Sequence, residues 1–282
     1  MAQPAIEPVS AETLPEFAQF LHANLTQTRS PVAWVEGLSK SWGMTPPNHG
    51  FILRDEGKIV GGIGAYYAER KIKGQCERTC NITSWCVLDA YRKQSMRLAM
   101  TLVGQKGFHY TDFSPTKVVG GVLQFLKFRP LDDRQAVIAN LPWPAFGSTL
   151  LSQPDDIENM LQGDVLKIYR DHAVFPWLKH VLIGAPNHWC HVIYKLDRYR
   201  GLPSAHIYYL SDPANFERHY RRLSRHFFLR GIASTHVECR FLSQQPWPSK
   251  IRSGFNAKVY LSPTLSDSDI DYLYSETMAL DL

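Results

Sequence analysis

The 282-residue sequence has no apolar run approaching the ~18 residues of a membrane-crossing helix, so no span is expected. It is poor in cysteine. Cys76, Cys80, Cys86, Cys190 and Cys239 are an odd set with no C-x-x-C spacing, which argues against a disulfide framework or a zinc ribbon and fits a reducing, cytoplasmic setting. The stretch Met1 to Pro8 lacks the basic start and apolar centre of a secretory signal. Excess charge is also scarce. The net charge is only +5, which excludes a histone-like electrostatic binder and leaves room for a local basic patch; nucleic acid is not an expected partner. There is no short-period repeat and no low-complexity tract. Eleven histidines are present, but His172, His180, His188 and His191 lack paired Cys or carboxylate spacing. On a strand, His188 and His191 would point to opposite faces, so no metal is expected.

What remains is a chain built to fold. It is 44% hydrophobic and 12% aromatic, ample for a core and far from disorder. Its length suggests two domains. The loop from Leu141 to Pro154 carries three prolines and a glycine, which sets the division at 1–145 and 146–282.

Patterning in the first half predicts a helix over Leu14 to Leu25 and a second beginning at Ser30-Pro31, with Ser as N-cap. Strands follow at Gly50 to Arg54 and Lys58 to Ala68, joined by a turn at Asp55 to Gly57, then at Cys80 to Leu88. A helix is expected from Gln94 to Lys106, a strand from Phe108 to Phe113, a helix from Thr116 to Lys127, and a closing strand from Ala136 to Asn140. The second half repeats the cadence. Helices are expected over Asp156 to Tyr169, Asn215 to Arg230 and Asp267 to Tyr274. Strands are expected at Leu178 to Gly184, His191 to Leu196, Ala205 to Leu210, Thr235 to Leu242 and Ala257 to Leu261. Strands separated by helices imply an α/β fold with parallel pairing inside a mixed sheet.

The informative stretch is Val87-Leu-Asp-Ala-Tyr-Arg92-Lys93-Gln94-Ser95-Met96-Arg97. A strand ends, the chain turns and a helix begins. The free N–H groups and positive dipole end of that helix make an anion site. Arg92, Lys93 and Arg97 surround it, and a pyrophosphate suits such a corner. The bland alternative is a solvated first turn.

These residues resemble the GCN5-related N-acetyltransferase superfamily, whose V-x-x-x-x-R-x-x-G-x-G/A motif holds the pyrophosphate of acyl-CoA with backbone amides. Val87 and Arg92 match, while Ser95 and Arg97 replace the small residues. The ending Leu126-Lys-Phe-Arg-Pro-Leu131 also matches. The strings around Trp85 to Leu98, Thr111 to Pro115 and Ile270 to Glu276 are similar to a bacterial tandem subfamily. The resemblance implies two copies of the fold, the second degenerate because Asp212 stands at its equivalent corner. It implies an acyl-CoA-dependent N- or O-acyltransferase, with acetyl-CoA or another acyl-CoA as co-substrate and no metal. The acceptor is a small molecule, with a sugar or polysaccharide precursor among the candidates. The implied cofactor contacts are Cys86, Val87, Arg92, Lys93, Gln94, Ser95, Met96, Arg97 and Thr116.

Two departures matter. Leu123 stands at the family's tyrosine acid and Asn81 at its frequent glutamate base. A replacement base must then be sought. Glu69 and Asp112 are the candidates, followed by His109, with Tyr67 and Tyr110 as possible donors; each also has an ordinary structural reading. The site further needs open space beneath the strand from Asn81 to Val87, which Trp85 or Met96 could fill. A catalytically silent CoA-binding or partner-binding protein is the alternative. The helix Asn215 to Arg230 carries five arginines opposite an apolar face, which reads as a solvated basic surface.

Overall fold

The computed structural model describes residues 3–144, 146–186 and 188–281. Ala145, the last residue of the expected first domain, lies outside the described residues, as do Met1 and Ala2.

In chain order the first half runs β1 (Ala5–Pro8), α1 (Leu14–Asn24), α2 (Pro31–Leu38), β2 (Ser41–Trp42), β3 (Gly50–Asp55), β4 (Lys58–Ile72), β5 (Gln75–Val87), α3 (Ser95–Val103), β6 (His109–Asp112), α4 (Lys117–Phe125), β7 (Arg129–Pro130) and β8 (Gln135–Ala139). The second runs β9 (Thr149–Leu151), α5 (Pro154–Met160), α6 (Gly163–Ala173), β10 (Lys179–Ala185), β11 (His188–Tyr199), β12 (Leu202–Leu210), α7 (Pro213–Phe228), β13 (Ser234–Glu238), β14 (Ser249–Arg252), β15 (Val259–Leu261) and α8 (Glu276–Ala279).

Local chemistry accounts for many of these boundaries. Ser30 Oγ accepts from the Ala33 N–H and caps α2, and Thr116 does the same for α4 through the Val119 N–H. The β3–β4 turn places Glu56 and Gly57 at positive φ, the conformation a tight hairpin demands. On β4, a Cβ at Gly62 would lie 2.3 Å from Phe17 Cε2, so glycine lets α1 settle directly on the sheet.

Two mixed sheets result. The first has the order β1-β3-β4-β5-β6-β15-β7, with β2 alongside β4; the second has the order β14-β8-β13-β12-β11-β10-β9. Read from β9, the second sheet repeats the first position for position. In each, a strand and two helices precede three antiparallel strands, and a helix then leads to a parallel fourth. The repetition carries one exchange. β8 lies between β13 and β14 of the second sheet, and β15 lies between β6 and β7 of the first. A cut at 145/146 falls between β8 and β9, yet each sheet holds a strand from the other side of it. The expected closing strand at Ala136 to Asn140 therefore closes the other sheet.

One face of the first sheet packs α3 and α4 through Leu98, Leu102 and Leu123. One face of the second packs α7 through Phe216, Leu223 and Phe227. A third core is shared, gathering Phe17 and Leu21 with Phe175, Leu178, Ile193 and Tyr209. The segment Ile270 to Leu280 threads this shared core. The expected helix at Asp267 to Tyr274 is instead a 3-10 turn, Asp267–Asp269, capped by Ser266, followed by a turn that carries Tyr274 at positive φ and by the short α8. Tyr272, Leu273, Tyr274, Met278 and Leu280 are all buried, and each such side chain contributes about 1.5–3 kcal/mol to holding the halves together.

Other expectations shift at their ends. Asp156 to Tyr169 divides into α5 and α6, broken at Leu161 and Gln162, and Thr235 to Leu242 stops as a strand at Glu238. Among the described residues, no helix is long and apolar enough to cross a membrane, and no group of three or more His, Cys, Asp or Glu gathers as for a metal ion.

Candidate active site

The parallel pair β5–β6 is hydrogen-bonded only over Thr79–His109, Cys80–Tyr110 and Asn81–Thr111. β5 runs on to Val87, whereas β6 ends at Asp112. β5 stays with β4 through an irregular register and Ser84 at φ 52°, while β6 holds β15 along its other edge over Tyr110 to Asp112. The strands therefore part after Asn81, and among the described residues no strand pairs with β5 on that side from Ile82 onward.

A carboxylate from the far end of the chain sits at the fork. Glu276, the first residue of α8, is fully buried. Its backbone N–H donates to Asn81 Oδ1 at 2.9 Å. Its Oε1 accepts from the Phe113 N–H and from Ser114 Oγ, each at 3.1 Å. Its Oε2 has no partner among the described residues. Asn81 is held in turn by donating to Thr111 Oγ1 at 3.1 Å. Burial, against the pull of these hydrogen bonds, pushes the Glu276 carboxyl up to about 7. Asp112, also buried, is raised well above the usual carboxylate range, first by burial and then by the Glu276 charge. Two neighbouring acids thus share one dry fork, and one of them keeps its proton near neutrality. Ser114 is exposed and links buried Glu276 to the space outside.

Of the expected base candidates, Asp112 lies at this fork. Glu69 does not. It pairs with Arg78 near the β4–β5 turn, three residues beyond the Tyr66–Asn81 pair, or about 10 Å along the strand. His109 is buried, with Nδ1 against Ser262 Oγ and Nε2 against Glu77, each at 2.8 Å, so it ties β6 to its neighbours. Tyr67 donates to Asn48 and accepts from Gln105, and Tyr110 donates to backbone carbonyls; both serve the core. Leu123 is buried in the α3–α4 core.

The basic corner is longer than the motif suggests. A 3-10 turn, Asp89–Gln94, intervenes, and α3 starts at Ser95. Arg92 is exposed and pairs with Asp89 at 2.8 Å. Lys93 is exposed, whereas Arg97 donates to the Pro4 carbonyl at 3.2 Å and to Gln94 at 3.0 Å. Ser95 and Met96 are half-buried. Cys86 and Val87 close β5, Cys86 toward the shared core and Val87 toward α3, and burial pushes the Cys86 thiol up. Thr116 is occupied in capping α4. Trp85 packs on the α3–α4 core, and its buried indole N–H has no acceptor among the described residues.

In the second sheet, β12 and β13 pair over Ser204–Ser234, Ala205–Thr235 and His206–His236 and then part in the same way. At its corner, Asp212 caps α7 by accepting from the Asn215 N–H, so that helix start is already occupied by an acid. On α7, Arg218, Arg221 and Arg225 are exposed opposite the buried apolar stripe, and Arg230 is exposed just beyond the end of the helix. His180 and His191 stack, with ring nitrogens 3.0 Å apart, and burial lowers both.

Glu276 was not a sequence candidate. Its signal was only its place at the end of Ile270-Asp-Tyr-Leu-Tyr-Ser-Glu276, a stretch in which apolar and aromatic residues outnumber polar ones.

No protein-family model matches the chain, and no curated protein matches it in sequence. Solved structures do match its fold. A GCN5-related N-acetyltransferase from Anabaena variabilis ATCC 29413 superposes with a TM-score of 0.62 at 12% identity, over 92% of this chain and 72% of that one. A GCN5-related N-acetyltransferase from Kribbella flavida gives 0.56 at 9% identity, over 91% and 70%. A conserved protein from Enterococcus faecalis V583 gives 0.57 at 11% identity, over 92% and 72%. The chain has the GCN5-related N-acetyltransferase fold.

Proposed function

We propose that this protein is an acyl-CoA-dependent N- or O-acyltransferase in which Glu276 takes the place of the base missing at Asn81. The observation that carries the reading is the dry fork between β5 and β6. It holds a carboxylate with one unpartnered oxygen and an affinity for protons near that of neutral solution.

Bound acyl-CoA supplies the activated thioester carbonyl. The corner from Arg92 to Arg97 is the proposed pyrophosphate site, with Lys93 and the exposed Arg92 nearest to free, since Arg97 is engaged. The orphaned Trp85 N–H beside β5 fits an amide carbonyl of the pantetheine arm. An acceptor amine or hydroxyl attacks the thioester, the bond to the acyl carbon forms, and sulfur leaves with its electron pair. The acceptor's proton passes to Ser114 Oγ as the Ser114 proton moves to Glu276 Oε1, along the contact at 3.1 Å. The position of the family's leaving-group acid supplies none here, because it is Leu123 and lies in the core. A thiol with a pKa of about 8.5 tolerates leaving as thiolate. Asn81 is a positioning residue that holds the α8 start in the fork. The second copy, with Asp212 at its corner, is read as structural, and the setting as cytoplasmic.

A silent CoA-binding or partner-binding protein is the second reading. Leu123 in the core and Arg97 turned to the Pro4 carbonyl favour it. Calorimetric titration with acetyl-CoA, followed by thiol release with a panel of amines and sugars, separates the two. The acyltransferase reading expects saturable binding, weakened about two- to fivefold in Arg92→Ala as for an exposed charge contact, together with acceptor-dependent thiol release. Binding without release supports the silent protein, and no binding at millimolar acetyl-CoA contradicts both.

A further inference from the structure

The parting of β12 and β13 leaves a cavity of about 420 Å³ between the two halves, a size suited to a small ligand. Ser114, the exposed end of the Glu276 contact, is in its wall, and so is Thr277. The last pair of the ladder, His206 and His236, lines it with rings stacked at 4.2 Å, in the positions that Asn81 and Thr111 occupy in the first sheet.

Lys195 and Lys258 in the wall stand against Glu238 and Asp197, and Arg240 just behind it adds a further buried cation. Glu238 is 2% exposed and accepts from two buried cations, Arg240 at 2.5 Å and Lys258 at 2.8 Å. The Tyr272 hydroxyl donates to the same carboxylate. Two cations on one carboxylate leave a positive charge in the protein interior, and Arg240 Nη2 has no partner among the described residues. Lys195, also buried, adds a further ammonium to the wall and donates to the Leu280 carbonyl. Asp197, which is exposed, is the other acid of the wall and acts on His206 and His236; behind the wall, Asp281 and Glu276 act on Lys195, and half-buried Asp132 acts on Arg240. Holding excess charge away from water is costly unless an opposite charge meets it. Here Lys258 faces open space in the cavity that an anion can fill.

We propose that this cavity binds the acceptor through an anionic group, a carboxylate or a phosphate, held by Lys258 and Lys195, with the acceptor's nucleophile directed toward Ser114. The term acceptor rests on the acyl-transfer reading; the anion site itself does not.

The test reads the site without turnover. The imidazole signals of His206 and His236 are followed by NMR in the full-length protein during titration with acetate and, separately, with inorganic phosphate, at constant ionic strength set by chloride. The proposal expects saturable shifts with at least one probe, and the stronger probe identifies which anion the site favours. It expects binding about tenfold weaker in Lys258→Gln, as for loss of a buried charge-assisted contact. Lys195→Gln gives the same readout should Lys258→Gln not fold. Shifts no different from the chloride control, or equal affinity in the folded variants, overturn the proposal. Neither result bears on acetyl-CoA binding at the other sheet, so the two readings fail separately.

Discussion

Among single residues, Glu276 carries the proposed chemistry. Its carboxyl is raised in the folded protein to about 7 from an ordinary value of 4.5, because burial disfavours the charge. A carboxyl raised on folding binds its proton more tightly in the native state. Its contribution to stability is full below pH 4.5 and is lost as the pH climbs toward 7. Above that point the native state holds a buried anion at a cost of up to about 3 kcal/mol. Glu276→Gln keeps the shape and the oxygen that accepts from the Phe113 N–H. The variant should therefore melt higher than the wild type at pH 8 and at nearly the same temperature at pH 5. A lower melting temperature at pH 8 would count against a strained buried carboxylate. This residue was not legible in the sequence. Its partners Asn81, Phe113 and Ser114 lie more than 160 positions away, and no local spacing encodes such a contact. Asp112 was legible, because an acid at the end of a strand that precedes a helix points into the fork. Glu69 looked equivalent in sequence, and only the register of β4 against β5 separates it from the site.

At the element scale, the helices and central strands were readable because their signals are local. Ser30 and Thr116 cap the helices they precede, and Asp55 to Gly57 makes the turn expected of it. The errors came where burial is not one-sided. Ile270 to Leu280 is largely buried, so its apolar residues imitate one longer helix, while the backbone bends and turns through Tyr274 at positive φ before the four-residue α8. The exchange of β8 and β15 was also hidden, since each strand is short and its local pattern does not name its partner. The exchange makes a physical prediction. A fragment of residues 1–145 lacks β15 and the Ile270–Leu280 segment, leaving the outer edge of β6 and the shared core uncovered. It should show no cooperative melting transition by circular dichroism. A sharp transition with native near-ultraviolet signal in that fragment would contradict the need for the exchanged strand.

At the scale of the whole molecule, two copies of one fold are bound by a segment that touches both. Arg70, Asn81 and Ser114 grip it from the first half, and His172, Trp177 and Lys195 from the second. The same segment carries the proposed base, so assembly of the two halves and completion of the site are one event. The small net charge of +5 gave no hint of this, because the charges that matter are few and buried. The most direct test is the pH dependence of thiol release from acetyl-CoA, with an acceptor the protein uses, in the wild type and in Glu276→Gln. A base works when deprotonated, so wild-type kcat/KM should rise through about pH 7 and level off above it. In the variant, that rise should vanish and the plateau should fall about 100-fold or more, the usual contribution of a general base. A variant that keeps the wild-type profile and rate would contradict the assignment of Glu276 as the base.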